Sequence, residues 1–143
     1  MTIAINHILK ASGRIEHIRT REITLAGPPI DLAARVANET GTVLLLSGGR
    51  LDSARYHILG FDPWLSLKGR GHDLQLTIDQ QQHTLSMDPL DALRAVVNHY
   101  RCRTEIDVTP PIAAGLMGYL AYDLKDVIEE LPRTSVDRWQ LPH

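Results

Sequence analysis

The chain has 143 residues, 43% of them hydrophobic and 22% charged, which suits one domain with a buried core and is too short for two full-sized domains. Fifteen Lys and Arg oppose 17 Asp and Glu, so the net charge of -2 creates no field that would steer the chain onto nucleic acid or an anionic membrane. An aromatic content of 5% also argues against a stacking surface for single-stranded nucleic acid.

Cysteine content and the apolar runs indicate a cytoplasmic location. The single Cys102 excludes an internal disulfide and a cysteine-based zinc site, which fits a reducing compartment. Polar residues interrupt Met1 to Ser12, where a secretory signal would need an unbroken apolar core. Prolines and glycines break the longest uncharged stretch, Val108 to Tyr122, which is shorter than the ~20 residues of a membrane span. No membrane partner is expected.

The first part of the chain predicts a strand, a helix and a second strand, in that order. Apolar and charged residues alternate weakly over Arg14 to Leu25, which predicts an edge strand. Apolar residues recur at spacings of three and four in Ile30 to Glu39, which predicts a short helix that stops before Gly41. The apolar run Thr42 to Leu46 is typical of a strand buried on both faces.

The middle of the chain predicts an antiparallel meander. Four strand-like segments are separated by short polar or glycine-containing turns. These segments are Arg55 to Phe61, Trp64 to Gly69, Leu74 to Ile78 and His83 to Met87.

A helix follows the meander. Asp88 supplies a capping carboxylate and Pro89 suits the first helical turn. Its predicted apolar stripe consists of Leu90, Leu93, Val97 and Tyr100. Beyond it, Ile112 to Tyr122 predicts a strand and Asp123 to Leu131 an acidic helix. We therefore expect residues 1–143 to form a single α+β domain, with mostly antiparallel sheet and two to three packed helices.

No assembled catalytic site can be recognised. The seven histidines are scattered without the HxxxH or HExxH spacing of metal ligands. No GxSxG motif surrounds a serine, and Cys102 has no evident partner base. The sequence Ser47-Gly48-Gly49 follows a predicted strand but lacks the lysine and hydroxyl of a phosphate-binding loop, so it predicts a hairpin turn. We assign no catalytic residue and no metal ligand.

One group of residues combines polar and apolar chemistry around this turn. A serine hydroxyl, exposed turn amides and an Arg-Tyr pair can hold the polar end of a small amino-acid-like ligand, while neighbouring apolar residues accept its side chain. The same residues also fit a capped hairpin packed on a core. The group consists of Ser47, Ser53, Ala54, Arg55 and Tyr56.

Several segments in this order resemble the amino-terminal domain of the anthranilate synthase component I family of chorismate-using enzymes, which includes aminodeoxychorismate synthase component I. The resemblance extends over nearly the whole chain from about Ile30 onward. Its motifs are Val43 to Gly48, Ser53 to Tyr56, Gly60 to Pro63, Asp88 to Leu90, and Gly115 to Asp123 followed by Glu129, Leu131 and Pro132.

The resemblance implies a scaffold domain with a pocket for L-tryptophan. Carried over residue by residue, the pocket residues are Ser47, Ser53, Ala54, Arg55 and Tyr56. The domain itself would hold no cofactor. In the family, a larger carboxy-terminal domain, absent from this chain, binds chorismate and Mg²⁺. A glutamine amidotransferase component is the implied partner and supplies the ammonia that converts chorismate to 4-amino-4-deoxychorismate for folate synthesis.

Leu46 departs from the Leu-Leu-Glu-Ser motif usual in anthranilate synthases. The Leu-Leu-x-Ser-Gly sequence of Leu44 to Gly48 resembles aminodeoxychorismate synthase more closely, with anthranilate synthase as the alternative. Because leucine cannot pair with a ligand ammonium, we expect the isolated chain to bind tryptophan weakly or not at all. A non-catalytic small-molecule-binding or interaction module is a further hypothesis, and so is an unrelated structural domain. The reading frame beyond His143 distinguishes these hypotheses from the enzyme.

Overall fold

The computed structural model describes residues 2–48, 54–101, 114–130, 132 and 142. Its helices are α1 (Thr2–Ala11), α2 (Pro29–Arg35), α3 (Pro89–His99) and α4 (Lys125–Ile128), the last preceded by the 3-10 turn Tyr122–Leu124. Its strands are β1 (Val43–Leu45), β2 (Ile58–Gly60), β3 (Leu65–Arg70), β4 (Asp73–Ile78) and β5 (Gln81–Ser86). The predicted α+β class is confirmed, with four helices in the described part instead of two or three.

Strands β3, β4 and β5, three of the four strands predicted for the meander, form an antiparallel sheet in this order. The register pairs Leu67 with Leu76 and Leu76 with His83. Asp79 and Gln80 both have positive φ, at 46° and 68°, which matches the right-handed twist of a tight hairpin between β4 and β5. Side chains of β4 are buried at alternate positions, because successive residues of a strand point to opposite faces.

Helices α1 and α3 cover the buried face of this sheet. Leu76 and Val96 are almost completely buried there, with 0% and 1% exposure. The core consists of Ile5, Leu9, Leu74, Leu76, Ile78, Leu85, Met87, Ala92 and Val96.

Helix α3 begins where the sequence predicts, although its buried face is rotated. One carboxylate oxygen of Asp88 accepts hydrogen bonds from the backbone N–H groups of Leu90 and Asp91, at 2.8 and 3.0 Å. The predicted stripe included Val97, which is 48% exposed, whereas Ala92 and Val96 point into the core. The stripe prediction was wrong at Val97, because the most buried positions of α3 are Ala92 and Val96, which are four residues apart and share one face.

Helix α1 was not predicted. Ile5 and Leu9, four residues apart and therefore on one face, are both 0% exposed. At its end the Ser12 hydroxyl lies 2.5 Å from the Tyr100 hydroxyl, and His99 Nε2 lies 2.6 Å from the carbonyl oxygen of Gly13. No helix was predicted here, although Ile5, Ile8 and Leu9 recur at helical spacing, and their packing in the core stabilises the helix.

Strands β1 and β2 form a separate two-stranded sheet. The predicted strand Arg55 to Phe61 is shorter than expected and pairs with β1, not with the meander. The prediction that Thr42 to Leu46 is buried on both faces was wrong, because Leu45 and Leu46 are 49% and 52% exposed. A strand with a single neighbour in a two-stranded sheet leaves much of its surface uncovered.

Three further predictions need correction. No strand forms over Arg14 to Leu25, where Ile23 is 64% exposed and no ladder partner is present among the described residues. Residues 114–121 are not in a strand either, and 112–113 lie outside the described residues. The helix predicted to start at Asp123 ends at Ile128. Within the described ranges, no helix has the length and apolar character needed to cross a membrane.

Candidate functional site

The β1–β2 hairpin places Ser47 opposite Tyr56. The two strands pair Val43 with Gly60 and Leu45 with Ile58, and the same register continued by two residues brings Ser47 to Tyr56. The Ser47 hydroxyl donates a hydrogen bond to the backbone carbonyl of Tyr56 at 2.7 Å. Backbone pairing between β1 and β2 ends at Leu45 and Ile58, and beyond this pair a side-chain hydrogen bond holds the two segments together.

A second hydrogen bond fixes the backbone of Ser47. Its N–H donates to Nδ1 of the His57 imidazole at 3.2 Å. Ser47 is thus held to two consecutive residues on the facing side of the hairpin, to Tyr56 through its hydroxyl and to His57 through its amide. The sequence interpretation missed His57, because no local pattern marks a histidine that acts across a hairpin and only the register brings it to Ser47.

These bonds determine what Ser47 can offer a ligand. A carbonyl oxygen only accepts, so the hydroxyl proton of Ser47 is committed to Tyr56 and the hydroxyl oxygen keeps its lone pairs. In this arrangement Ser47 can accept a hydrogen bond from a ligand N–H but does not donate its proton to a ligand carboxylate. This chemistry suits an ammonium or amide group.

The other predicted site residues follow the same turn. Arg55 and Tyr56 are exposed, Tyr56 by 53%, and Ala54 is half-buried. Ser53 lies outside the described residues. The structure therefore brings Ser47 and Tyr56 into direct contact, while Ala54 and Arg55 adjoin them along the chain.

Exposed apolar groups accompany the polar ones. Leu46 and Tyr56 each have about half of their surface open to solvent, at 52% and 53%. The aliphatic side chain of Leu46 supplies no hydrogen-bond acceptor next to Ser47. The hairpin thus presents apolar surface beside the oxygen acceptor of Ser47.

Two other features of the described residues add no candidate site. No group of three or more His, Cys, Asp or Glu side chains in these ranges is arranged to hold a metal ion. A cleft of about 140 Å³ contains none of the predicted site residues. It is lined by Leu25, Ala26, Gly27, Pro28, Asp31, Leu32 and Arg35.

The fold and the hairpin define an α+β protein with a candidate small-ligand site on a two-stranded sheet. No family model and no solved structure matches the chain. It is 35% identical over 122 residues to anthranilate synthase component 1 of Cereibacter sphaeroides, covering 80% of this chain and 24% of the relative. It is 27% identical over 145 residues to the protein of the same name from Arthrobacter globiformis, covering 94% of this chain and 26% of that protein.

A third relative, anthranilate synthase component 1 of Mycolicibacterium smegmatis, is 42% identical over 55 residues, which is 38% of this chain and 10% of the relative. The chain is thus homologous, at weak to moderate similarity, to part of anthranilate synthase component 1. It spans about a quarter of the length of the two relatives with the longer alignments. The predicted resemblance is confirmed at this level, and the aminodeoxychorismate synthase branch stays a prediction.

Proposed function

We propose that this chain is the amino-terminal domain of a chorismate-using synthase component I. The supporting observation is the 35% identity over 80% of the chain to a relative of which the match covers only 24%. In this proposal the α+β domain is a scaffold, and a larger domain carries chorismate, Mg²⁺ and the reaction. A glutamine amidotransferase component supplies ammonia.

Within this proposal we assign the aminodeoxychorismate branch. The assignment rests on Leu46, which stands where anthranilate synthases usually carry a glutamate and is half-exposed beside Ser47. The enzyme would replace the ring 4-hydroxyl of chorismate with ammonia, releasing water and giving 4-amino-4-deoxychorismate. Anthranilate synthase is the second candidate, favoured by the names of the three relatives.

The hairpin provides the proposed ligand site of this domain. Ser47 offers an oxygen acceptor to a ligand ammonium, Arg55 carries the positive charge that a ligand carboxylate would contact, and the exposed apolar surface of Tyr56 can contact a ring. L-Tryptophan combines these three groups. Leu46 supplies no negative charge that could pair with the ammonium group of tryptophan. We therefore expect the isolated chain to bind tryptophan with an affinity weaker than micromolar. Calorimetry with L-tryptophan tests this expectation, and a micromolar dissociation constant would contradict it.

The reaction itself is tested on the full-length product of the gene that encodes this chain. The purified enzyme is incubated with chorismate, Mg²⁺ and ammonium, and its products are separated by chromatography. An added 4-amino-4-deoxychorismate lyase converts the expected product to para-aminobenzoate. Formation of para-aminobenzoate supports the proposed branch, whereas fluorescent anthranilate without added lyase supports the second candidate.

Two outcomes would overturn the proposal as a whole. One is a reading frame that stops at residue 143, because this chain contains none of the chorismate-binding motifs. The other is a longer, folded product that consumes no chorismate with either ammonium or glutamine and its amidotransferase. Either result would favour a small-molecule-binding or interaction module.

A further inference from the structure

We propose that His57 is the positioning residue of the Ser47 site, and that it acts only as a neutral imidazole with its proton on Nε2. The structural part of this inference depends on the hairpin alone. Its consequence for a ligand rests on the proposed function. His57 belongs to none of the motif positions carried over from the resemblance, and its role follows from one cross-hairpin contact.

The contact determines which form of the ring is present. The backbone N–H of Ser47 is a donor, so Nδ1 of His57, 3.2 Å away, must be the acceptor. A neutral imidazole has one protonated and one unprotonated nitrogen, which leaves the proton on Nε2. An imidazolium carries protons on both nitrogens and cannot accept this bond.

His57 and the Ser47 hydroxyl act together on the same residue. The hydroxyl bond to the Tyr56 carbonyl orients the side chain, and the His57 bond orients the peptide group before it. Both bonds lie beyond the last backbone pair of β1 and β2, Leu45 with Ile58. Loss of the His57 bond therefore leaves Ser47 held across the hairpin by its hydroxyl alone, with its backbone amide no longer fixed, while the strand pairing remains.

A ring protonated on both nitrogens would have no acceptor at Nδ1 and could not hold the Ser47 amide. The charged and titratable groups next to His57 on its own segment are Arg55 and Tyr56, and the facing residues Val43 to Ser47 contain none. The connection also contains Arg50 and Asp52, which lie outside the described residues.

The test uses nuclear magnetic resonance on the 143-residue chain and two variants. His57→Asn keeps an acceptor, since Oδ1 of asparagine is separated from Cα by the same number of bonds as Nδ1 of histidine, and it does not titrate. His57→Leu removes the acceptor. Long-range proton–nitrogen spectra identify the ring tautomer, and the Ser47 amide is followed by its proton shift and its hydrogen-exchange protection. Amides of Leu44 and Leu59, within the paired strands, are the internal reference.

We expect the neutral ring to be the Nε2–H tautomer, and the Ser47 amide shift to change when the ring becomes protonated. In His57→Asn the Ser47 shift should not follow pH in this way. In His57→Leu the Ser47 protection should fall roughly two- to tenfold, the effect of one lost hydrogen bond, with the reference amides unchanged. An Nδ1–H tautomer, or equal Ser47 protection in His57→Leu and the native chain, would overturn the proposal.

The ligand consequence is measured separately on the full-length protein with L-tryptophan as the probe. His57→Leu should raise the dissociation constant roughly two- to tenfold, and His57→Asn should leave it unchanged at neutral pH. Absence of tryptophan binding in every variant would overturn the pocket assigned under the proposed function. Equal tryptophan affinities in the native protein and His57→Leu would overturn the positioning role in ligand binding, and the tautomer result distinguishes the two failures.

Discussion

The ring of Pro63 occupies the space beside Gly41 where a side chain would begin. A Cβ atom on Gly41 would lie 2.5 Å from Cγ of Pro63 and 2.9 Å from its Cδ, and Gly41 has φ of +77°. The turn before β1 is thereby packed directly against the connection that follows β2. This close approach requires glycine for its small size as well as for its backbone conformation.

Gly41→Ala should therefore destabilise the protein by roughly 2–5 kcal/mol, combining left-handed backbone strain with overpacking against a rigid ring. Gly13→Ala is the matched control, because Gly13 has φ of +82° and no atom within 4 Å of the added methyl group. That control should lose only about 1–2 kcal/mol. Urea unfolding measures both changes, and equal losses would contradict the packing of Pro63 on Gly41.

The rotated face of α3 is tested by two neighbouring valines. Val96 is 1% exposed and Val97 is 48% exposed. Val96→Ala should lower the free energy of unfolding by roughly 1.5–3 kcal/mol, because it removes buried methyl groups and leaves a cavity. Val97→Ala should change it by less than about 0.5 kcal/mol. The reverse order in thermal or urea unfolding would restore the stripe expected from the sequence.

The N-terminal cap of α3 should contribute measurably to stability. Asp88 accepts bonds from two backbone N–H groups that have no other helical partner. Asp88→Ala should cost about 0.5–2 kcal/mol, and Asp88→Asn should cost less because its amide oxygen can still accept. Circular dichroism during urea unfolding gives the comparison, and equally destabilised variants would argue against the capping role.

A raised pKa is expected at Lys125. The hydrogen bond to Asp126 is its main cause, burial opposes it, and the negative charges of Asp126 and Asp123 raise it further. Because the pKa is higher in the folded state, this contribution to stability is present below the unfolded pKa and is lost as the pH rises through the folded pKa, in the alkaline range.

Asp126→Ala should lower the pKa of Lys125 more than Asp123→Ala does, because it removes the hydrogen bond as well as a charge. Carbon-detected titration of the Lys125 Cε resonance measures both pKa values. A larger decrease in Asp123→Ala would show that the more distant charge dominates.

Arg55→Ala separates a ligand role from a structural one. Arg55 is exposed on the segment that leads into β2, so its truncation should leave the free energy of unfolding nearly unchanged. If Arg55 binds a ligand carboxylate, tryptophan affinity in the full-length protein should fall about tenfold or more. Arg35→Ala, an equal change of charge at an exposed residue of α2, should retain affinity. Unchanged affinity with lost stability would support the capped-hairpin interpretation.

The sequence by itself predicted the elements that are determined by residues close together along the chain. Asp88-Pro89 predicted the start of α3, because a capping carboxylate and a first-turn proline act within four residues. The β3–β5 meander was predicted from strand-like segments separated by polar or glycine-containing turns such as Asp79 to Gln82, and the predicted strands and helices together indicated the α+β class. The motif from Val43 to Gly48 also carried the resemblance that the homologous proteins confirmed.

Only the tertiary structure decided which of these elements meet. Ile5 and Leu9 of α1 and Ala92 and Val96 of α3 are buried in the same core, which is formed only when both helices pack on the meander. Strand β2 pairs with β1 and not with the meander, and that register alone brings His57 to the amide of Ser47. Capping and turn formation depend on neighbours along the chain, whereas burial and cross-strand bonds depend on residues that are distant in sequence and adjacent only after folding.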